Sequence, residues 1–188
     1  MFLFILYFFT ILYFVLILSF TIGFDKCELF KNKHEKAQID FSVIIPFRNE
    51  ETHLLKLLES LSQLNYPFSK FEIIFIDDDS EDKSINILKE WKLVNTEFTI
   101  SILNNIRLTN SPKKDAISLA ISKSKFNWIV TTDADCTIPN NWLEMFNQVI
   151  LNHKPYLIAA PVKFRTNNSF LQQFQNLNFL SLVGSTIG

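Results

Sequence analysis

Two groups of aspartates, each closing an apolar run, are the residues of this chain best suited to chemistry. Asp77, Asp78 and Asp79 follow the run Phe71 to Ile76, while Asp133 and Asp135 follow Phe126 to Val130 through Thr131 and Thr132. A buried strand that ends on carboxylates delivers negative charge to the carboxyl edge of a sheet, where open α/β folds bind ligands. Crowded carboxylates repel one another unless a cation joins them, so the pattern points to a divalent metal and a phosphorylated ligand. Each group also has a plainer alternative. The first is a polar turn with Ser80 capping a helix, and the second is a turn ahead of another helix.

Lys113 and Lys114 lie between the two acidic groups, in the first turn of a helix opened by Ser111 and Pro112. That is the unfavourable end for cations unless an anion stands before them, so the pair reads either as a diphosphate contact or as two solvated lysines. The only glycines are Gly23, Gly184 and Gly188. A Walker loop or a dinucleotide fingerprint needs glycine where backbone amides approach phosphate, and neither motif exists here. Any nucleotide phosphates must be held by metal and side chains instead.

Alternating elements have to position these residues. Phe41 to Pro46 reads as a strand, and Asn49 as the cap of a helix with Glu50 and Glu51 in its first turn. Leu54, Leu57, Leu58, Leu61 and Leu64 recur at helical spacing. The strand Phe71 to Ile76 follows a turn at Asn65, Tyr66 and Pro67, and a helix then carries Ile85, Leu88 and Trp91 on one face. Further strands are expected at Phe98 to Leu103, Phe126 to Thr132 and Tyr156 to Val162. One helix carries Ala116, Ile117, Ala120 and Ile121, and another begins at Pro139 with Trp142, Leu143, Phe146 and Ile150 inward. Regular alternation predicts an α/β fold, a mostly parallel Rossmann-like sheet with helices on both faces.

The 188 residues are 48% hydrophobic and 20% charged, enough for one domain plus an extra segment. Residues 1–24 carry no charged side chain and reach roughly 36 Å as a helix, against a bilayer core of about 30 Å. A secretory signal is the competing reading, but a basic leading region and a small-residue cleavage site are not evident. Residues 25–40 read as a juxtamembrane linker and residues 41–188 as the folded domain. Lys26, Lys31, Lys33 and Lys36 follow the apolar run, so the positive-inside rule predicts a single-pass membrane protein with its domain on the cytoplasmic side. Cys27 and Cys136 have no metal or redox spacing, and His34, His53 and His153 are scattered. A net charge of -1 argues against a nucleic-acid partner.

Several pieces in order resemble family 2 glycosyltransferases of the nucleotide-diphospho-sugar transferase (GT-A) fold, over about residues 41–182. VIIPFRNE (Val43 to Glu50) resembles the family's opening strand and turn, and IDDDSED (Ile76 to Asp82) its acidic turn, with Asp79 in place of the usual glycine. SPKKDAI (Ser111 to Ile117) resembles the lysine-containing helix start without its usual glycine. TTDADC (Thr131 to Cys136) is similar to the metal-binding Asp-x-Asp (DxD) motif, and IPNNWL (Ile138 to Leu143) is similar to the family's next segment. The resemblance implies that Pro46 and Glu50 border the nucleobase and that Asp78 contacts it, commonly uracil. It implies Lys114 near the diphosphate, Asp133 against ribose or metal, and Asp135 holding Mn²⁺ or Mg²⁺. The implied activity is metal-assisted transfer of a sugar, from a nucleotide-diphospho-sugar such as a UDP-sugar, to a membrane-associated lipid or polysaccharide acceptor.

Inverting transfer in this family also needs a carboxylate base later in the chain, and after Asp135 the only acidic residue is Glu144. The sequence is therefore expected to be a donor-binding half, incomplete at its C-terminus and binding donor without efficient transfer. The alternative is a membrane-tethered nucleotide-sugar-binding protein or inactive fragment. A phosphoacceptor receiver domain is a third reading, but its acidic pair follows the first strand rather than the second. A nucleotidyltransferase normally carries a glycine-rich loop, which PFRNEE (Pro46 to Glu51) lacks. The uncharged tail Ser169 to Val183 places Phe170, Phe174, Leu177 and Leu180 at helical spacing, either as an interfacial helix or as one that packs on further protein.

Overall fold

The computed structural model describes residues 2–26, 35–163 and 169–187. Cys27, Lys31, Lys33 and His34 lie outside them. The elements run α1 (Phe2–Asp25), β1 (Phe41–Phe47), α2 (Leu54–Ser62), a 3-10 turn (Phe68–Lys70), β2 (Phe71–Asp77), α3 (Ser84–Val94), β3 (Thr99–Asn104), α4 (Pro112–Lys123), β4 (Trp128–Thr131), α5 (Trp142–His153) and α6 (Phe170–Ile187). They fall into two units, Asn32–Pro155 and a second made of Met1–Lys31 with Tyr156–Gly188.

The first unit is a parallel four-stranded sheet in the order β3-β2-β1-β4, covered on both faces by helices. Alternation along β2 separates two faces. Ile74 and Ile76, joined by Ile44 of β1, pack on Ala116 and Ala120 of α4. On the other face Phe75 meets Trp91 of α3 edge-on, with ring centroids 6.4 Å apart. The chain steps from β1 to β2 to β3 in one direction and then returns past β1 to β4. Right-handed crossovers put the helix of that return on the opposite face, where α4 is found. The reversal makes the gap between β1 and β4 the topological switch point, the usual ligand crevice of such sheets.

The leucine pattern of α2 is satisfied as expected, with Leu54, Leu57, Leu58, Leu61 and Leu64 all buried. Each such side chain contributes about 1.5–3 kcal/mol of hydrophobic stabilisation. Beneath the carboxy-terminal end of α4, buried Glu72 accepts bonds from the Ser42 hydroxyl (2.6 Å) and the Lys125 amide (2.6 Å). That pairing satisfies a polar group inside the sheet, which would otherwise be costly. The end of the segment read as a linker is docked on this unit. Asn147, fully buried in α5, accepts from the amides of Gln38 and Ile39 and donates to the Lys36 carbonyl.

Two local expectations fail. Asn49 does not cap α2, which begins at Leu54 with His53 before it, and Glu50 and Glu51 lie ahead of the helix rather than in its first turn. Asn49 instead takes a left-handed conformation (φ 54°) and ties two loops together, an alternative open to short polar side chains. Tyr156 to Val162 is not a strand: Tyr156, Leu157 and Val162 are exposed and the segment pairs with none of the described strands. Without a ladder partner, β-branched composition does not make a strand.

In the second unit, α1 exposes its apolar side chains from Leu3 to Leu18, and it is long and apolar enough to cross a membrane. Helix α6 runs beside it and exposes Phe170, Phe174, Leu177 and Leu180.

Candidate active site at the carboxyl edge of the sheet

Both acidic groups reach the same edge of the sheet, on either side of β1. The register pairs Phe47 with Asp77 and Ile44 with Thr131, and the ladders run one residue further. The Asp78 amide donates to the Phe47 carbonyl (2.9 Å), and the Thr132 amide to that of Ile44 (3.2 Å). Residue 46 would be the next on β1 to donate towards β4, but Pro46 has no N–H. The two strands are thus free to part at the switch point, with half-buried Pro46 at the fork.

The three consecutive aspartates have three different tasks. Asp77 is buried, and its Oδ1 accepts from the Ser80 amide (3.1 Å) to close the turn. Asp79 takes up the left-handed conformation (φ 67°) that the turn needs where glycine would be usual. Asp78 is held by side chains that follow β3. Its Oδ1 accepts from Arg107 Nε (2.8 Å) and Asn105 Nδ2 (2.6 Å), and its Oδ2 from Arg107 Nη2 (3.0 Å). Arg107 Nη2 also donates to the Asp78 carbonyl (2.9 Å). Hydrogen bonding to Arg107 holds the Asp78 carboxyl below its ordinary pKa, with smaller contributions from Asn105 and the charge of Arg48, against a rise caused by burial. Oδ2 thus accepts one of these bonds where Oδ1 accepts two, which leaves acceptor capacity on Oδ2.

The loops after β1 and β2 are stitched to each other. The Asn49 amide donates to Ser80 Oγ (3.0 Å), and Asn49 Oδ1 accepts from the Glu81 amide (2.8 Å). The Glu51 amide donates to Asp82 Oδ2 (3.0 Å) and Glu51 Oε2 accepts from the Lys83 amide (3.0 Å). These reciprocal bonds fix the glycine-free loops through side chains. Glu50 sits in this lattice, its amide on Ser84 Oγ (2.9 Å) and its carboxylate 2.8 Å from His53 Nδ1.

Beyond β4, Asp133 and Asp135 are both exposed in the turn, with Ala134 buried between them. Lys113 Nζ donates to Asp133 Oδ1 at 2.6 Å, so α4 brings its first turn to the acidic turn. Its neighbour Lys114 is exposed. Among the described residues no group of three or more His, Cys, Asp or Glu side chains could hold a metal alone. The donor set nevertheless fits Mg²⁺ or Mn²⁺, because such an ion takes one or two carboxylates and completes its shell with water and substrate phosphates. Glu144 stands elsewhere, accepting from Asn65 Nδ2 (2.8 Å) and lining a groove with Glu35, Tyr66 and Phe68.

Arg107 and Asn105 were not picked out from the sequence, and Lys113 was picked out only as one of a pair with Lys114. Arg107 and Asn105 follow β3 at the carboxyl edge, and that placement was the signal available for them.

Comparison with known proteins is consistent with this architecture. The profile of the family described as Glycosyl transferase family 2 matches residues 42–184. The poly-beta-1,6-N-acetyl-D-glucosamine synthase of Staphylococcus epidermidis is 27% identical over 165 residues, which are 86% of this chain and 37% of that protein. The chain therefore spans little more than a third of that relative. The structure of S. aureus TarS 1–349 in complex with UDP-GlcNAc superposes with a TM-score of 0.55 at 24% identity, covering 62% of this chain and 32% of TarS. The Pyrobaculum calidifontis mannosyltransferase PcManGT, in complex with GDP-Man and Mn²⁺, gives 0.61 at 18% identity, covering 75% of this chain and 41% of its own. With its GT-A-like sheet and a family match across nearly all of the sheet-bearing unit, this chain belongs to glycosyl transferase family 2.

Proposed function

We propose that the carboxyl edge of the sheet binds the nucleoside diphosphate of a sugar donor, as the donor-binding portion of a membrane-associated glycosyltransferase. The observation that carries this reading is convergence: the Asp78–Arg107 clamp and the Lys113–Asp133 pair lie on one edge, on either side of β1. Asp78 accepts a base N–H through Oδ2, with Pro46 and Glu50 bordering the base. Either Lys113 or Lys114 meets the diphosphate, and the 2.6 Å contact with Asp133 favours Lys113. Asp133 and Asp135 hold the divalent cation, with Asp133 also near the ribose. When bound, that cation neutralises charge growing on the leaving diphosphate.

A UDP-sugar donor and a polysaccharide or glycolipid acceptor are supported by relatives whose names record such products and ligands. Placement of the domain on the cytoplasmic side of a membrane crossed by α1 is supported by the lysines that follow that helix. The test is calorimetry of the full chain in detergent with UDP, with and without Mn²⁺. Metal-dependent binding supports the proposal, whereas no binding under either condition rejects it.

A further inference from the structure

We propose that Asp115 is a positioning residue, which sets Arg107 against Asp78 and so shapes the nucleobase side of the site without touching ligand. Residues 105–111 connect β3 to α4 with neither glycine nor regular structure, so their path must be held by side chains. Asp115 lies in the first turn of α4 and is 8% exposed. Its Oδ2 accepts from the amides of Leu108 (3.0 Å) and Thr109 (2.8 Å), and its Oδ1 from the Thr109 hydroxyl (2.9 Å). The Thr109 oxygen in turn accepts from the Ser111 amide (3.2 Å). A carboxylate in the first turn of a helix commonly serves that helix's own amides. This one reaches back into the loop instead.

The consequence falls on Arg107. Its backbone is pinned on the far side by Asp115 through Leu108, and on the near side by Asn105. The Asn105 amide donates to the Asp77 carbonyl (2.7 Å), while its side chain donates to Asp78 and to the Pro112 carbonyl (3.0 Å). A long, partly exposed arginine loses much rotamer freedom in a bidentate pair, and a fixed backbone reduces what remains to be ordered. Helix α4 is itself seated on the sheet through Ala116 and Ala120, so Asp115 carries the rigidity of the core out to the loop.

This inference rests on the nucleotide reading for its ligand, but not for its geometry. The experiment measures UDP affinity by calorimetry, with Mn²⁺, for the full chain and for Arg107→Ala, Asp115→Ala, Asp115→Asn and the double alanine variant. Arg107→Ala and Asp115→Ala each weaken binding about tenfold, and the double variant is within about twofold of Arg107→Ala alone. Asp115→Asn stays within about threefold of the parent, because its carbonyl can take both amides and its NH₂ can donate to Thr109. Multiplicative losses in the double variant, or an asparagine variant as weak as the alanine one, overturn the proposal. If Asp115→Ala does not fold, Asp115→Ser, too short to reach both amides, carries the same expectation. If the parent chain binds no UDP, the functional reading fails, and the positioning role is read from Asp78 itself. Carboxyl ¹³C NMR of the ligand-free chain then shows the Asp78 pKa higher in Asp115→Ala than in Asp115→Asn, which loses the same negative charge near Asp78 but keeps the loop bonds. Equal Asp78 values in these two variants sink the inference.

Discussion

Lys113 Nζ stands 2.6 Å from Asp133 Oδ1, joining the first turn of α4 to the turn beyond β4. Both side chains are more than half exposed, so the pair contributes no more than about 1 kcal/mol to stability. Its weight is in binding. Lys113→Ala is expected to weaken UDP affinity about tenfold and Lys114→Ala less than about threefold. Without nucleotide, Lys113→Ala raises Mn²⁺ affinity a few-fold, because Asp133 loses the cation competing for it. Calorimetry and Mn²⁺ paramagnetic resonance check both. Equal losses from the two lysine variants would argue against the assignment.

Asp135 tests the metal separately from the base-side clamp. Asp135→Asn is expected to abolish the gain in UDP affinity produced by Mn²⁺, while leaving the metal-free affinity within about twofold. A variant that retains the full Mn²⁺ gain places the cation on other ligands.

Acid sensitivity is a consequence of the clamp. Asp78 is held below the ordinary carboxyl pKa, mainly by hydrogen bonding to Arg107, and Asp115 is likewise lowered, mainly by the Thr109 amide. A depressed folded-state pKa gives stability that is complete above the unfolded value of about 4 and is lost as pH falls through the folded one. The Tm difference between the parent and Arg107→Ala should therefore be constant from pH 7 to about 5 and shrink as pH falls below about 4. A difference that grows with acid is incompatible with the clamp.

Asp79 occupies a position where glycine costs nothing sterically. Asp79→Gly is expected to be neutral or to stabilise by up to about 1 kcal/mol, whereas Asp79→Val costs about 1–2 kcal/mol. Urea unfolding of the three proteins measures this. A clearly destabilised glycine variant would show that the Asp79 side chain has a structural role of its own.

The architecture was open to reading along the chain because periodicity reports burial directly. The leucines of α2, the apolar runs of β1 and β2 and the uncharged stretch of α1 are local patterns that need only apolar surroundings. Asp77 to Asp79 and the pair Asp133 and Asp135 could be singled out as groups for a similar reason, since polar residues that end apolar strands mark the ligand edge of such a sheet. Only the family resemblance pointed to Asp78 within the first group. The ordered motifs joined these pieces into one family.

What local pattern could not supply was the partner of each group. Asn49 fits a helix cap as well as a left-handed loop residue, and its bonds to Ser80 and Glu81 lie 31 and 32 residues away. Tyr156 to Val162 has strand-like residues, yet a strand exists only where a neighbour offers a ladder. Lys113 and Lys114 are equivalent along the chain. The rotation of α4 on Ile44, Ile74 and Ile76 brings one of them to Asp133. Burial depends on residue type and spacing, which are local, whereas a directed contact between side chains depends on how distant segments meet.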